Sequence, residues 1–297
     1  MQMITMAEAI RRTQDKILQD NPKAVLLGLG APDGMFGTTK GLSENYPNRV
    51  YDVPCSEEAL MGIALGMSLN GGFPIITHQR ADFLLTCMNQ IVNNVAKWST
   101  VYNHPTPMLI RAVIGRGWGQ GCNHGQDLIW MFQQIQGLVT LCPSSPADAW
   151  SMLQWAAGQD KPVLFFEHRW LHSRKGPVYD IPFVMPDLSK KTFDIPSFAA
   201  YGYAYHMAVK AAELLWEQDK TYVPVLDTKG SYLAPTKNLC LVYEQKPGSF
   251  LPAGPNQGAH YNTPERIAND MLRIMGEPEV FDECPASDQC PALGEWL

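Results

Sequence analysis

The sequence is poor in the features that define several broad classes of protein. With a net charge of −6 it has no run of lysine and arginine, which argues against nucleic acid or an anionic membrane as the main partner. No stretch approaches the ~20 consecutive apolar residues of a membrane span. The opening MQMITMAEAIRRTQDKILQD has no apolar core of a secretory signal, so a cytoplasmic protein is expected. None of the seven cysteines (Cys55, Cys87, Cys122, Cys142, Cys240, Cys284, Cys290) forms a C-x-x-C pair. The zinc and dithiol motifs built on that spacing are therefore missing, and reduced thiols are the better reading than a bridge between Cys284 and Cys290. G-x-G-x-x-G and G-x-x-x-x-G-K-[ST] are both absent, so no phosphate cradle is supported. Ser/His/Asp and Cys/His nucleophiles show no local signature.

What is present is a packed chain. Charged residues make up 18% and hydrophobic residues 45%, a balance that excludes disorder. The length of 297 residues suggests two domains. Thr5-x-x-Glu8 reads as a capping box opening a helix to about Asp20. KAVLLGLG is then a buried strand, and residues 30–56, rich in Gly, Pro, Asp and Asn, form a long loop. A helix is expected from about Glu57 to Leu69, followed by a strand at FPIITH. Leu84, Met88, Ile91, Val95 and Trp98 repeat at helical spacing and predict one buried face. PMLIRAV, LVTLC and PVLFFEH read as further strands, with QDLIWMFQQI helical between the first two. SSPADAWSMLQWAA reads as a helix capped by Ser145 with Pro146 in its first turn.

This alternation predicts an α/β fold with a parallel sheet covered on both faces. Residues 1–185 are expected as the first domain, 186–194 as a proline-rich linker, and 195–297 as a smaller α/β domain. In such sheets, sites gather at the carboxyl ends of the strands. Three loops qualify: residues 30–56, His78 to Asp82, and Gly115 to Gly125.

Two candidate groups keep alternatives open at this level. Glu57 and Glu58 follow Ser56, a good N-cap, and acids in a first helical turn are favoured by ~0.3–1 kcal/mol without any catalytic role. Gly62 and Gly66 would let another helix or a flat ligand pack closely on the same helix. In GRGWGQGCNHG, the spacing of His124 favours a structural histidine over one doing proton chemistry, with both readings left open, and the glycines permit close approach of backbone to a ligand or another subunit.

Taken together, several stretches resemble one family. GLGAPDGMFGTTKGLSENYPNRVYDVPCSE resembles a family segment running through T-K-G-L to R-V-x-D-T-P-I-S-E. GGFPIITHQRADF resembles G-x-x-P-I-x-E-x-Q-F-A-D-F, and MNQIVNNVAK resembles x-D-Q-I-x-N-x-A-A-K. GCNHGQ is similar to the H-S-Q loop and CPSSPADAW to x-P-S-x-P-x-D-A-K. The chain thus resembles, from residue 3 to about 185, the beta subunit of the thiamine-diphosphate-dependent 2-oxoacid dehydrogenases, within the transketolase-like group. The part after the linker resembles the transketolase C-terminal domain, shortened after VLDTKGSYLAP.

The resemblance implies roles. Glu57 matches the glutamate that hydrogen-bonds the cofactor's aminopyrimidine ring, and Phe83 the aromatic that stacks on it. Gln79 matches a glutamine near the thiamine, and His124 the histidine facing the substrate. A carboxyl at N1′ favours the tautomer that takes the thiazolium C2 proton, and an apolar pocket would keep it neutral. The family's G-D-G motif with its later Asn, which holds Mg²⁺ and the diphosphate, is missing; in the family it lies on a separate alpha subunit. An alpha-type partner in an α2β2 assembly is therefore implied, with no metal ligands in this chain and a 2-oxoacid as substrate. Departures fall at Gly30, Ala31 and Pro32, at Thr77 in place of Glu, at Arg80 in place of an aromatic, and at Gln134 to Gly137. Arg80, together with His78, is a candidate for an anionic substrate group; a surface or subunit salt bridge is the alternative for Arg80. The rival implied functions are the C-terminal subunit of a split transketolase acting on sugars and a non-catalytic scaffold or regulatory subunit.

Overall fold

The structure, a computed structural model, describes residues 2–186, 188, 195–231, 239–242 and 263–275. Contacts divide the chain into two units: Met1–Gly117 with His124–Val184, and Trp118–Asn123 with Met185–Leu297. Most of the expected linker, the tail from Glu277, and Cys284 and Cys290 lie outside the described residues.

The first unit holds strands β1 (Gln2–Thr5), β2 (Ala24–Gly28), β3 (Val50–Tyr51), β4 (Phe73–His78), β5 (Met108–Ile114), β6 (Val139–Leu141), β7 (Pro162–His168) and β8 (Lys175–Val178). Its α-helices are α1 (Met6–Asp20), α2 (Leu42–Asn45), α3 (Glu57–Leu69), α4 (Ala96–Tyr102), α5 (Ile129–Phe132) and α6 (Pro146–Ala157). Six strands form one sheet in the order β3-β2-β4-β5-β7-β6, with every neighbouring pair parallel. Every residue of β4, β5 and β7 is buried, as expected of strands covered on both faces. β1 and β8 pair antiparallel as a separate ribbon.

Local sequence explains most of the element boundaries. The Thr5 hydroxyl accepts from Glu8 N–H at 3.2 Å, capping α1. The reciprocal half of the predicted capping box is replaced. Glu8 turns outward, accepting from Arg11 Nε at 2.8 Å and Arg12 Nε at 2.6 Å, because two guanidiniums outcompete one backbone N–H for a carboxylate. Ser145 caps α6 by accepting from Asp148 N–H at 3.2 Å, with Pro146 in the first turn. Ser56, by contrast, precedes α3 without a side-chain cap.

Three expectations are corrected. The stripe from Leu84 to Trp98 is not one α-helix: a 3₁₀ turn (Ala81–Cys87) and a π-helical stretch (Gln90–Val95) lead into α4. The buried face survives this change of winding, since Leu84, Ile91 and Val95 are all buried. The long loop of residues 30–56 contains a 3₁₀ turn (Met35–Gly37), α2 and β3. QDLIWMFQQI is helical only over the single turn of α5, and Gly137 ends this region at φ 92°, where a Cβ would lie 2.0 Å from the Ala96 carbonyl oxygen.

In chain order β2 leads to β3 on one side, and the chain then crosses to β4 on the other side of β2. The order reverses there, so a crevice opens beyond the carboxyl ends of β2 and β4. The second unit has three parallel strands in the order β10 (Val225–Asp227), β9 (Ser197–Ala200), β11 (Leu239–Leu241), with helices α7 (Gly202–Asp219) and α8 (Pro264–Met275). Leu188, Ala199 and Leu239 form a small core against Leu226 and Leu241. Among the described residues, no helix is long and apolar enough to cross a membrane.

Candidate active site

The candidate residues come from the crevice and its two flanking loops, all within the first unit. Gln79 follows β4 directly, and its Nε2 donates to the Leu29 carbonyl at 2.8 Å, just past β2. That bond spans the point of reversal. The other amide atom, Oε1, is buried and has no hydrogen-bond partner among the described residues. A buried acceptor in that condition costs free energy until a donor reaches it.

From Gln79 the chain enters the 3₁₀ turn carrying Phe83. Thr86 sits on this turn, its hydroxyl 2.7 Å from the Phe83 carbonyl and 3.4 Å from Glu57 Oε2. The first turn of α3 is thereby tied to the Phe83 turn. Glu57 is half-buried, whereas Glu58 is exposed and its Oε1 accepts from Gln90 at 3.1 Å and Asn89 at 3.3 Å. The two acids, alike in sequence, therefore serve different neighbours. Both charges also reach Cys87: burial first, then Glu57 and Glu58, push its thiol up to about 12. That thiol stays protonated and unreactive at neutral pH.

His124 meets Phe83 edge to face, with ring centroids 5.3 Å apart and planes at 89°. The loop carrying it is fastened one turn further on, where Asp82 accepts from Gln126 N–H at 3.3 Å and Gln126 Nε2 at 2.8 Å. Gly115 and Gly117 both have positive φ, at 111° and 95°. A Cβ on Gly117 would meet the Trp170 ring at 3.0 Å. Backbone approach and left-handed conformation are thus why glycine stands there.

His78 is 3% exposed, and burial pushes its imidazole down to about 4. It is neutral at physiological pH, and its Nε2 has no hydrogen-bond partner among the described residues. Arg80 is also buried, with Nη1 donating to the Gly115 carbonyl at 2.8 Å. Burial, and then the charge of Arg169, hold its pKa below the usual arginine value, with Asp82 acting the other way.

Sequence reasoning missed a second layer. Arg111 and Glu167, both fully buried, pair at 2.5 Å across β5 and β7. Arg111 also donates to Gln14 at 2.8 Å and Thr77 at 3.3 Å, while Glu167 Oε2 meets His172 Nε2 at 3.1 Å. Burial raises the Glu167 pKa, but Arg111 and His172 outweigh it and the net shift is downward. Charged residues inside strands that read as plain core were the available signal. The spacing of His168 and His172 also suits a metal pair on a helix, but here they fall on a strand end and a 3₁₀ turn. His168 Nδ1 accepts from Trp170 N–H while His172 faces Glu167.

Comparison with known proteins bears on the fold and the family. Residues 2–173 match the family described as the transketolase pyrimidine-binding domain. The 2-oxoisovalerate dehydrogenase subunit beta of Bacillus subtilis is 32% identical over 78% of this chain and 73% of its own. The acetoin:2,6-dichlorophenolindophenol oxidoreductase subunit beta of Cupriavidus necator is 34% identical over 70% of this chain and 66% of its own. Among solved structures, a split-gene transketolase described as an inactive beta4 tetramer superposes with a TM-score of 0.60 at 23% identity, covering 76% of this chain and 71% of that one. Transketolase from Campylobacter jejuni gives a TM-score of 0.59 at 15% identity over 77% of this chain and 36% of its own; both likenesses concern the fold. The fold and the family match thus define a transketolase-like α/β protein with the domain described as pyrimidine-binding. Within that class, the chain belongs to the beta-subunit family of the 2-oxoacid dehydrogenases.

Proposed function

We propose that this chain is the beta-type subunit of a heteromeric thiamine-diphosphate enzyme that decarboxylates a 2-oxoacid and passes on the acyl or aldehyde unit. The observation that carries the reading is the convergence of Glu57, Phe83 and His124, linked through Thr86 and through the ring contact. The residues suit an aminopyrimidine. Glu57 offers a carboxyl for a ring nitrogen, Phe83 an aromatic face, and Gln79 Oε1 a buried acceptor awaiting an amine donor. When bound, thiamine diphosphate supplies the electron sink for loss of carbon dioxide.

The chain's own residues bind, orient and move protons. Glu57 holds a proton at the pyrimidine nitrogen, and the half-buried position of its side chain in the isolated subunit leaves room for a partner to complete the apolar surround. His124, held by Phe83, donates or accepts a proton at the substrate oxygen as charge develops there. Gln79 fixes the amino group while anchored to Leu29. The reading includes an alpha-type chain providing the diphosphate and Mg²⁺ site, in an α2β2 assembly. The open face of α3 supports it: a Cβ at Gly66 would meet nothing within 4 Å and Ile63 is 57% exposed.

Calorimetric titration tests the reading. Thiamine diphosphate should bind the isolated chain poorly and bind tightly once an alpha-type chain carrying G-D-G and its later Asn is added. Tight binding to this chain alone would contradict the division of the site.

A further inference from the structure

Helix α6 connects β6 to β7, which run parallel, so it travels back from the carboxyl ends of the strands to their amino ends. Its last turns therefore lie at the end of the sheet opposite the crevice of Gln79. There the chain that continues beyond β8 passes alongside, and the two bound a cavity of about 340 Å³. Ser151, Gln154 and Trp155 line it from α6, and Asp180, Pro182 and Phe183 from the continuing chain. All six residues belong to the first unit. The volume is that of a small-molecule site.

The lining combines two kinds of surface. Trp155 and Phe183 meet edge to face, with ring centroids 5.6 Å apart and planes at 79°. Each ring holds the other, so the apolar part of the lining is set before a ligand arrives. The polar part mainly accepts. The Ser151 hydroxyl donates its one proton to the Ala147 carbonyl at 2.9 Å. The Gln154 amide turns its nitrogen to the Trp150 carbonyl at 3.4 Å, which leaves Oε1 without a hydrogen bond among the described residues. The Asp180 carboxylate is exposed and has no hydrogen bond or ion pair among the described residues. Lys16, the cation whose charge reaches it, is held by Asp20 at 2.7 Å.

A carboxylate and neutral acceptors beside two aromatic rings suit a cation that carries hydrogen-bond donors of its own. An anion would be repelled by Asp180. A wholly apolar ligand would cover the acceptors without replacing the water on them. We propose that this cavity binds a small organic ammonium, its apolar body against Trp155 and Phe183 and its charged nitrogen at Asp180 and Gln154. The site is independent of the cofactor reading, since it lies at the other end of the sheet and uses none of the residues assigned to the thiamine.

Calorimetric titration of the full chain, as purified with its associated chains, tests the site with three probes that share a phenyl group on a two-carbon arm. These are 2-phenylethylamine, 2-phenylethanol and 3-phenylpropanoate, which are cationic, neutral and anionic at neutral pH. The amine should bind saturably and about fivefold tighter than the alcohol, or better, with the carboxylate weakest of the three. An alcohol too weak to titrate meets that expectation. Asp180→Asn should weaken the amine about threefold or more and leave the alcohol unchanged. Raising salt from about 20 to about 200 mM should shrink the preference for the amine in the wild type. Trp155→Leu should weaken amine and alcohol alike; if loss of that half-buried ring disturbs folding, Asp180→Asn, at an exposed position, carries the test. No saturable binding of the amine, equal binding of amine and alcohol, or an amine affinity changed less than about twofold by Asp180→Asn would overturn the proposal. The thiamine reading would stand in each of those cases, since it is tested by cofactor binding and proton exchange.

Discussion

The His124 imidazole meets the Phe83 ring edge on, with centroids 5.3 Å apart. This contact joins the segments that follow β4 and β5, two neighbouring strands in the middle of the sheet. It also helps fix the orientation of the histidine ring, with the two planes at 89°. His124→Ala should therefore lower kcat by about 10²–10³-fold, the usual cost of removing a group aimed at a developing charge, with a smaller change in KM. Phe83→Leu should weaken cofactor binding and also lower kcat, because it removes both the stacking face and the support of His124. A Phe83→Leu enzyme with normal kcat would separate the two residues.

Glu57 and Glu58 provide an internal contrast. Glu58→Gln should leave steady-state turnover within about twofold, since an exposed side chain bonded to Asn89 and Gln90 contributes little. Glu57→Gln should reduce turnover by about 10²–10⁴-fold. Thermal unfolding of the two variants should be alike, because neither acid is part of the core. Equal activities would remove the distinction that Thr86 makes between them.

His78 gives the protein a pH dependence of stability with a definite sign. Its pKa lies near 6.5 when unfolded and at about 4 in the folded chain. Between those values the unfolded state binds the extra proton, so stability falls as pH drops from 6.5 to 4 and the contribution levels off below. The loss is on the order of 3 kcal/mol. Urea unfolding of His78→Gln between pH 7 and 4 should show a flatter profile than the wild type; parallel profiles would place the acid sensitivity elsewhere.

The Arg111–Glu167 pair should behave as a buried ion pair. Glu167→Gln alone leaves an uncompensated guanidinium and should cost about 3–5 kcal/mol, whereas Arg111→Met combined with Glu167→Gln should recover much of that loss. Denaturant titration of the single and double variants reads the difference directly. Additive losses would mean that Arg111 is held mainly by Gln14 and Thr77.

Much of the first unit was legible from residue pattern. The strands AVLLG, FPIITH and PVLFFEH are continuous apolar runs, and a fully covered parallel strand leaves no other option for such a run. Helix α3 begins and ends where the acids of its first turn and Asn70 place it. The winding of residues 81–102 was not legible, because 3₁₀, π and α forms all bury side chains at spacings of three and four; which form wins is decided by packing against α3 and β5. Equally hidden was the pairing of Arg111 with Glu167. Nothing local shows that two charges in separate strands share one register. The expected roles of Glu57 and Glu58 separated in sequence only through the resemblance of the flanking motifs; in the structure the two differ in their neighbours, Thr86 for Glu57 and Asn89 and Gln90 for Glu58.

The most direct test of the central claim is the rate of deuterium exchange at C2 of thiamine diphosphate, measured in the assembly of this chain with an alpha-type partner. With the wild-type chain, exchange should run far above that of the free cofactor, and Glu57→Gln should slow it by about 10²–10⁴-fold while assembly and melting temperature stay unchanged. An exchange rate that is the same in wild type and Glu57→Gln would contradict the account.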